Sequence, residues 1–258
     1  MAFVKANGIR IHYELTGGAE LPVLVLSHSL GVNLAMWEPQ LSALTACFRV
    51  LSYDTRGHGE SSVPAGAYAI EQLGQDVLGL LNALGIAQAS FCGLSMGGVV
   101  GQWLGIHAPH RLHKLVLADT AAKIGTEETW NTRIATVERD GLSPVIPGTL
   151  ERWFTAGFRA QQPETIAKTE AMLKATKPAG YAGCCAALRD ADFRSSVRQI
   201  VSPTLVITGS EDPVTPPRDA RFLTDAIGSS TYAELPAAHL ANIEAADAFS
   251  TALVDFLA

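Results

Sequence analysis

Ser95 stands in Phe91-Cys92-Gly93-Leu94-Ser95-Met96-Gly97-Gly98, one hydroxyl among three glycines, after a short apolar run and before a segment of helical character. Gly93 to Gly97 fits G-x-S-x-G, in which glycines two before and two after the serine make room for a strained turn that pushes the hydroxyl out past a strand end. A hydroxyl so placed can attack an acyl carbon. The other use of a glycine-rich helix entry is close packing, or an anion held on backbone N–H groups, and that use needs no distant partner. A nucleophilic serine needs two: a base to take its proton and an acid to orient the base.

Both partners have candidates in the order Ser, acid, His that accompanies a strand–turn–helix nucleophile. Of seven histidines, only His239 follows the last strand-like run, in Glu234-Leu235-Pro236-Ala237-Ala238-His239-Leu240, and it is the candidate base. The candidate acid is Asp212, in Gly209-Ser210-Glu211-Asp212-Pro213 after the run Leu205 to Thr208. It is preferred to Glu211 because the Asp-Pro step fixes a turn. Asp119, at the end of Leu115 to Ala118, competes for the same role. His107, His110 and His113 flank a helix end, where imidazoles cap carbonyls or sit in solvent; His58 lies in a turn and His12 in the first hairpin. Acyl transfer also calls for N–H donors toward the developing oxyanion, each worth about 10²- to 10³-fold in rate. Met96, next after the serine, supplies one, and Leu30, in the loop Ser27 to Gly31, the other.

The elements that must position these groups follow from hydrophobic patterning. Val23 to Leu26, Arg49 to Tyr53, Ala89 to Cys92, Leu115 to Ala118 and Leu205 to Thr208 are continuous apolar runs, as in strands covered on both faces of a parallel sheet. Asn7-Gly8 between two β-prone runs predicts an antiparallel hairpin at the start. Ile70 to Leu84 carries apolar residues at helical spacing and stops at Gly85. Alternation of strand and helix gives a doubly wound α/β fold, completed by a run from Thr231 to Leu235 and a helix from Asp247 to Leu257. From about Lys123 to Asp192 no β-run occurs; helices are expected at Glu127 to Arg139, Leu150 to Phe158, Pro163 to Ala175 and Gly180 to Leu188. The expected division is a core of residues 1–122 and 193–258 and a helical cap, or lid, of residues 123–192.

Composition narrows the partners. With 258 residues, 48% hydrophobic and 17% charged, the chain has ample material for one core. A net charge of −6 without a Lys/Arg run argues against nucleic acid and anionic membranes, and no apolar segment reaches the roughly 18 residues of a membrane span. The N-terminus shows no signal-peptide core, so a cytoplasmic location is expected. Cys47, Cys92, Cys184 and Cys185 have neither disulfide-framework nor zinc-ligand spacing. A small molecule is the expected partner, with no metal or cofactor, and no signal for an oligomeric state is present.

Taken together, these motifs resemble the α/β-hydrolase superfamily over the whole chain, including Tyr53-Asp54-Thr55-Arg56-Gly57-His58-Gly59-Glu60-Ser61, similar to that family's D-x-R-G-x-G-x-S turn and read as structural. HSLGVNLAMWEPQ, YDTRGHGESS, FCGLSMGG, GSEDPVTPP and AAHLANIE are similar to the 3-oxoadipate enol-lactonase family. His28-Ser29 stands where the wider superfamily has His-Gly. The resemblance implies hydrolysis of an enol-lactone to 3-oxoadipate through an acyl-enzyme. The substrate then carries a carboxylate away from the lactone, and Trp130 and Arg133, on one face of the segment Glu127 to Arg139, are candidates to bind it, with Trp153 a third. The duller role for Trp130 and Arg133 is packing and solvation. A carboxylesterase or perhydrolase, a carbon–carbon bond hydrolase and a non-enzymatic ligand receptor on the same scaffold are the alternatives. Epoxide hydrolases and haloalkane dehalogenases would need an aspartate in place of Ser95.

Overall fold

The computed structural model describes residues 2–258. Ala2–Ala6 (β1) and Ile9–Thr16 (β2) form the first hairpin. Its turn residues Asn7 and Gly8 take φ of 45° and 76°, the left-handed values a two-residue hairpin turn requires. Val23–Ser27 (β3), Arg49–Tyr53 (β4), Ala89–Leu94 (β5), Leu112–Ala118 (β6), Thr204–Gly209 (β7) and Ser230–Leu235 (β8) complete one sheet of order β1-β2-β4-β3-β5-β6-β7-β8. β2 joins β4 antiparallel, and every pairing from β4 to β8 is parallel. Every residue of β5 and β7 is buried, which is why both read as unbroken apolar runs. β1 alternates half-buried and exposed residues, as an edge strand with one wet face should.

The covering helices are Glu38–Leu44 (α1), Ile70–Ala83 (α2) and Met96–His107 (α3), with others that follow β7 and β8. α2 stops where Gly85 takes φ 70°. Between β6 and β7 the chain makes five helices: Glu127–Asp140 (α4), Ile146–Trp153 (α5), Ala156–Gln161 (α6), Pro163–Ala175 (α7) and Pro178–Asp190 (α8). Beyond β7 come Pro217–Ala226 (α9), the single turn Ala241–Glu244 (α10) and Ala246–Leu257 (α11). α2 packs on α3 and α1 on α11. Among the described residues, no helix is long and apolar enough to cross a membrane.

The sequence expectation of one helix from Leu150 to Phe158 is corrected. Phe154 is extended and fully buried, and Thr155 starts α6 by accepting the Phe158 N–H at 3.2 Å. Apolar spacing runs through this break because the sinking of Phe154 into the interior is a tertiary event. α1 and α9 lie outside the expected helices; Pro39 and Pro217 occupy their first-turn positions, where a missing N–H costs nothing.

The inserted helices are tied down over the C-terminal ends of the strands. The Thr176 hydroxyl donates to the carbonyl of Gly31, beyond β3, at 2.8 Å. Tyr68 donates its N–H to Gly183 in α8 at 3.1 Å.

Candidate active site

Ser95 sits between β5 and α3 with φ 56° and ψ −113°, a conformation that costs a residue with a Cβ about 1–3 kcal/mol. Surrounding bonds hold it there: Ser95 N–H donates to Ala118 O at 2.9 Å, and the Thr120 hydroxyl donates to Ser95 O at 2.8 Å. The flanking glycines are explained by contact. A Cβ on Gly97 would lie 2.2 Å from the carbonyl oxygen of Ser27, and one on Gly93 would lie 2.1 Å from that of Gly97.

His239 comes from the loop between β8 and α10. Its Nε2 lies 2.9 Å from Ser95 Oγ and its Nδ1 2.8 Å from Asp212 Oδ2. Asp212 is reached from the loop after β7, where its Oδ1 accepts the N–H groups of Val214 (2.7 Å) and Thr215 (3.1 Å) and its Oδ2 accepts the Thr215 hydroxyl (2.7 Å). Burial pushes this carboxyl up, but the adjoining imidazole and the Thr215 donors outweigh it and hold the group below the usual aspartate value. An Asp with two N–H donors two and three residues on is a local turn, so Asp212-Pro213-Val214-Thr215 was the signal by which Thr215 could have been found.

Asp119 lies nearby with a different task. It is fully buried, makes no hydrogen bond to His239, and accepts the N–H of Gly209 at 2.7 Å and of Ala241 at 3.3 Å. Burial, then the charge of Asp212, raises its carboxyl well above the ordinary value. Two neighbouring carboxyls of which one alone faces an imidazole divide their charge unequally, and the anion resides on Asp212.

The loop after β3 lies beside the serine. Neither Leu30 N–H nor Met96 N–H donates to any described residue, and Leu30 lines the same cavity as Ser95. Leu30 is bracketed by imidazoles. His58 Nε2 accepts the Gly31 N–H at 2.8 Å, and His28, whose Nε2 accepts the Thr55 N–H at 2.9 Å, turns Nδ1 to Ser29 O at 2.7 Å. An Nε2 that accepts leaves the proton on Nδ1. Burial, then the neighbouring His28 ring, lowers His58 to about 3, and burial also lowers His28. Sequence reading gave His58 no part in this loop because the contact spans 27 residues.

A cavity of about 160 Å³ opens from Ser95 and His239 toward α4 and α5. Trp130, Arg133 and Trp153 all line it. Trp130 also packs, donating its indole N–H to Ile124 O at 2.7 Å. Arg133 lies with its guanidinium 5.9 Å from the Trp130 ring centre and donates to the Tyr181 hydroxyl at 3.1 Å; burial raises that phenol to about 12. Arg152, missed in the sequence, is a second guanidinium in the wall. It makes no hydrogen bond or ion pair to a described residue, and burial, then the charge of Arg133, weakens its hold on its proton. Among the described residues, no carboxylate lines the cavity. Unpaired guanidiniums in a partly buried pocket attract an anion.

Residues 22–246 match the family described as the alpha/beta hydrolase fold. The chain is 45% identical over 250 residues to 3-oxoadipate enol-lactonase 2 of Acinetobacter baylyi, covering 97% of this chain and 94% of the relative. It is 41% identical over 243 residues to 3-oxoadipate enol-lactonase 1 of the same organism, covering 94% and 91%. Among solved structures, the enol-lactonase from Burkholderia xenovorans LB400 superposes with a TM-score of 0.98 at 44% identity, covering 99% of each chain.

Proposed function

The chain belongs to the α/β-hydrolase fold family, and from that premise we propose that it hydrolyses 3-oxoadipate enol-lactone to 3-oxoadipate, with Ser95 as nucleophile, His239 as base and Asp212 as the acid that orients it. One observation carries the assignment: the hydrogen-bonded line Asp212–His239–Ser95 opens into a cavity whose far wall holds two guanidiniums and no carboxylate.

Ser95 Oγ attacks the lactone carbonyl while His239 Nε2 takes the hydroxyl proton, and Asp212 stabilises the imidazolium through Nδ1–H. The N–H groups of Leu30 and Met96 receive the developing oxyanion. Collapse breaks the ring C–O bond, and His239 returns the proton to the departing enol oxygen, which rearranges to the ketone. Water, deprotonated by His239, then attacks the acyl-serine and releases the second carboxylate. Arg133 and Arg152 hold the carboxylate that the substrate already carries, and Trp130 and Trp153 flank the ring. Residues 123–192 act as a cap on a core of residues 1–122 and 193–258; the support is that α4, α5 and α8 supply one wall of the cavity. A cytoplasmic location goes with this reading, and the free state of Cys47, Cys92, Cys184 and Cys185 is consistent with a reducing compartment.

The test is loss of the enol-lactone's ultraviolet absorbance with purified protein, beside neutral aryl esters of similar size. Preference for the anionic lactone supports the reading, and equal or better rates on the esters reject it in favour of a general esterase.

A further inference from the structure

Glu244, the last residue of α10, is half-buried and has no cationic partner among the described residues. Its carboxylate instead gathers donors from two separate parts of the chain. Oε2 accepts the N–H of Ala238, next to the base, at 3.0 Å. Both oxygens lie 3.2 Å from the N–H of Thr155, and Oε1 also accepts the Thr155 hydroxyl. Thr155 is the second of the two residues, Phe154 and Thr155, that separate α5 from α6. A second tie runs alongside, since Leu240 N–H donates to the carbonyl of Trp153 at 3.1 Å. The residues on either side of His239 are thus each bound to the Trp153–Thr155 corner of the cap, one directly and one through Glu244. Trp153 is itself a wall of the cavity.

We propose that Glu244 is a positioning residue: it fastens the loop carrying His239 to the α5–α6 corner, so that the base and the substrate-facing wall keep one fixed relation. This rests on the reading of His239 as the base. The physical reason is that the imidazole must stay within hydrogen-bond reach of Ser95, and a displacement of about 1 Å costs roughly 10²-fold in rate. On its core side the loop Pro236-Ala237-Ala238 is held by burial of Ala237 and Ala238 and by the Glu211 N–H, which donates to Ala237 O at 3.0 Å. The carboxylate of Glu244, bound to the N–H groups of Ala238 and Thr155, adds the tie on the cap side. The break between α5 and α6 thereby gains a use, because an unbroken helix would keep the Thr155 N–H for itself.

The test uses the full chain and two substrates, the anionic enol-lactone and a small neutral aryl ester, at a temperature where circular dichroism shows each variant folded. Glu244→Ala is expected to lower kcat by about 10²-fold and Thr155→Val by about 10-fold, on both substrates and with KM moving less than kcat. Thr155→Ser, which keeps the hydroxyl, is expected to recover most of the loss. The double variant is expected to match Glu244→Ala, because the Thr155 hydroxyl acts through that carboxylate. Three results overturn the proposal: kcat of the folded single variants within about twofold of the parent, losses that multiply in the double variant, or a loss confined to the lactone. The last would mean that only the pocket wall had moved. A parent protein that cleaves the ester and not the lactone would sink the substrate assignment and leave the ester arm to decide this one.

Discussion

The two walls of the cavity follow opposite electrostatic plans. On the strand-end side, the polar side chains are answered where they stand, and the groups left open are the main-chain N–H of Leu30 and Met96. Asp212 has the Thr215 donors and His239, Asp119 bridges two backbone N–H groups, and His28 and His58 are neutral rings accepting from the main chain. On the helical side, Arg133 has one hydrogen-bond partner, the neutral Tyr181, and Arg152 has none among the described residues. A wall that makes and breaks bonds must be organised before the substrate arrives, since rearrangement during the reaction adds to the barrier. A wall that selects works the other way, because donors left open gain their partners only from the right ligand. On the proposed roles, the strand-end wall would serve many esters and the helical wall would single out one charged lactone.

Four experiments would break or sharpen that contrast. Ser95→Ala should lower turnover on every substrate by at least about 10⁴-fold, read as steady-state hydrolysis of lactone and aryl ester alike. Asp212→Asn should cost about 10²- to 10⁴-fold, again without regard to substrate charge. Asp119→Asn should stay within about 10-fold of the parent; if instead Asp119→Asn is inactive and Asp212→Asn is not, the acid has been assigned to the wrong strand end. Arg152→Gln and Arg133→Gln should each raise KM for the anionic lactone by about 10- to 10²-fold while leaving a neutral ester within about threefold. Equal losses on both substrates would show that the arginines support the fold rather than the ligand.

The smallest effect concerns stability. His58 titrates near 6.5 when unfolded and near 3 when buried, so the unfolded chain binds the extra proton first as pH falls. Its contribution is whole above about pH 6.5 and declines progressively toward pH 3. Urea midpoints measured across that window should fall with acidification, and His58→Gln should flatten the slope. An unchanged slope would mean that the ring is not the group responsible.

Legibility divided along the same line as the two walls. The strands β3 to β8, the serine turn and the order of the candidate acid and base lie in local runs and short motifs, and residues 95, 212 and 239 meet at the strand ends. What escaped depended on contacts between distant segments. Arg152 looks like any solvated helix arginine until it is seen to line the cavity beside Ser95, and Glu244 resembles a surface carboxylate until Thr155 is found 89 residues away. The bend at Phe154 was hidden because burial of a single ring, not periodicity, decides it.

Gly97 meets the carbonyl of Ser27 with no side chain between them. The end of β3, which leads into Leu30, and the first turn of α3, which begins at Met96, are in bare main-chain contact. Such a joint has no rotamer to adjust and no methylene to trim, so the gap between the two N–H donors is inherited with the sheet itself. Substitutions accumulating among the overlying helices can reshape what the molecule accepts, while the spacing that would cradle an oxyanion passes through those changes untouched.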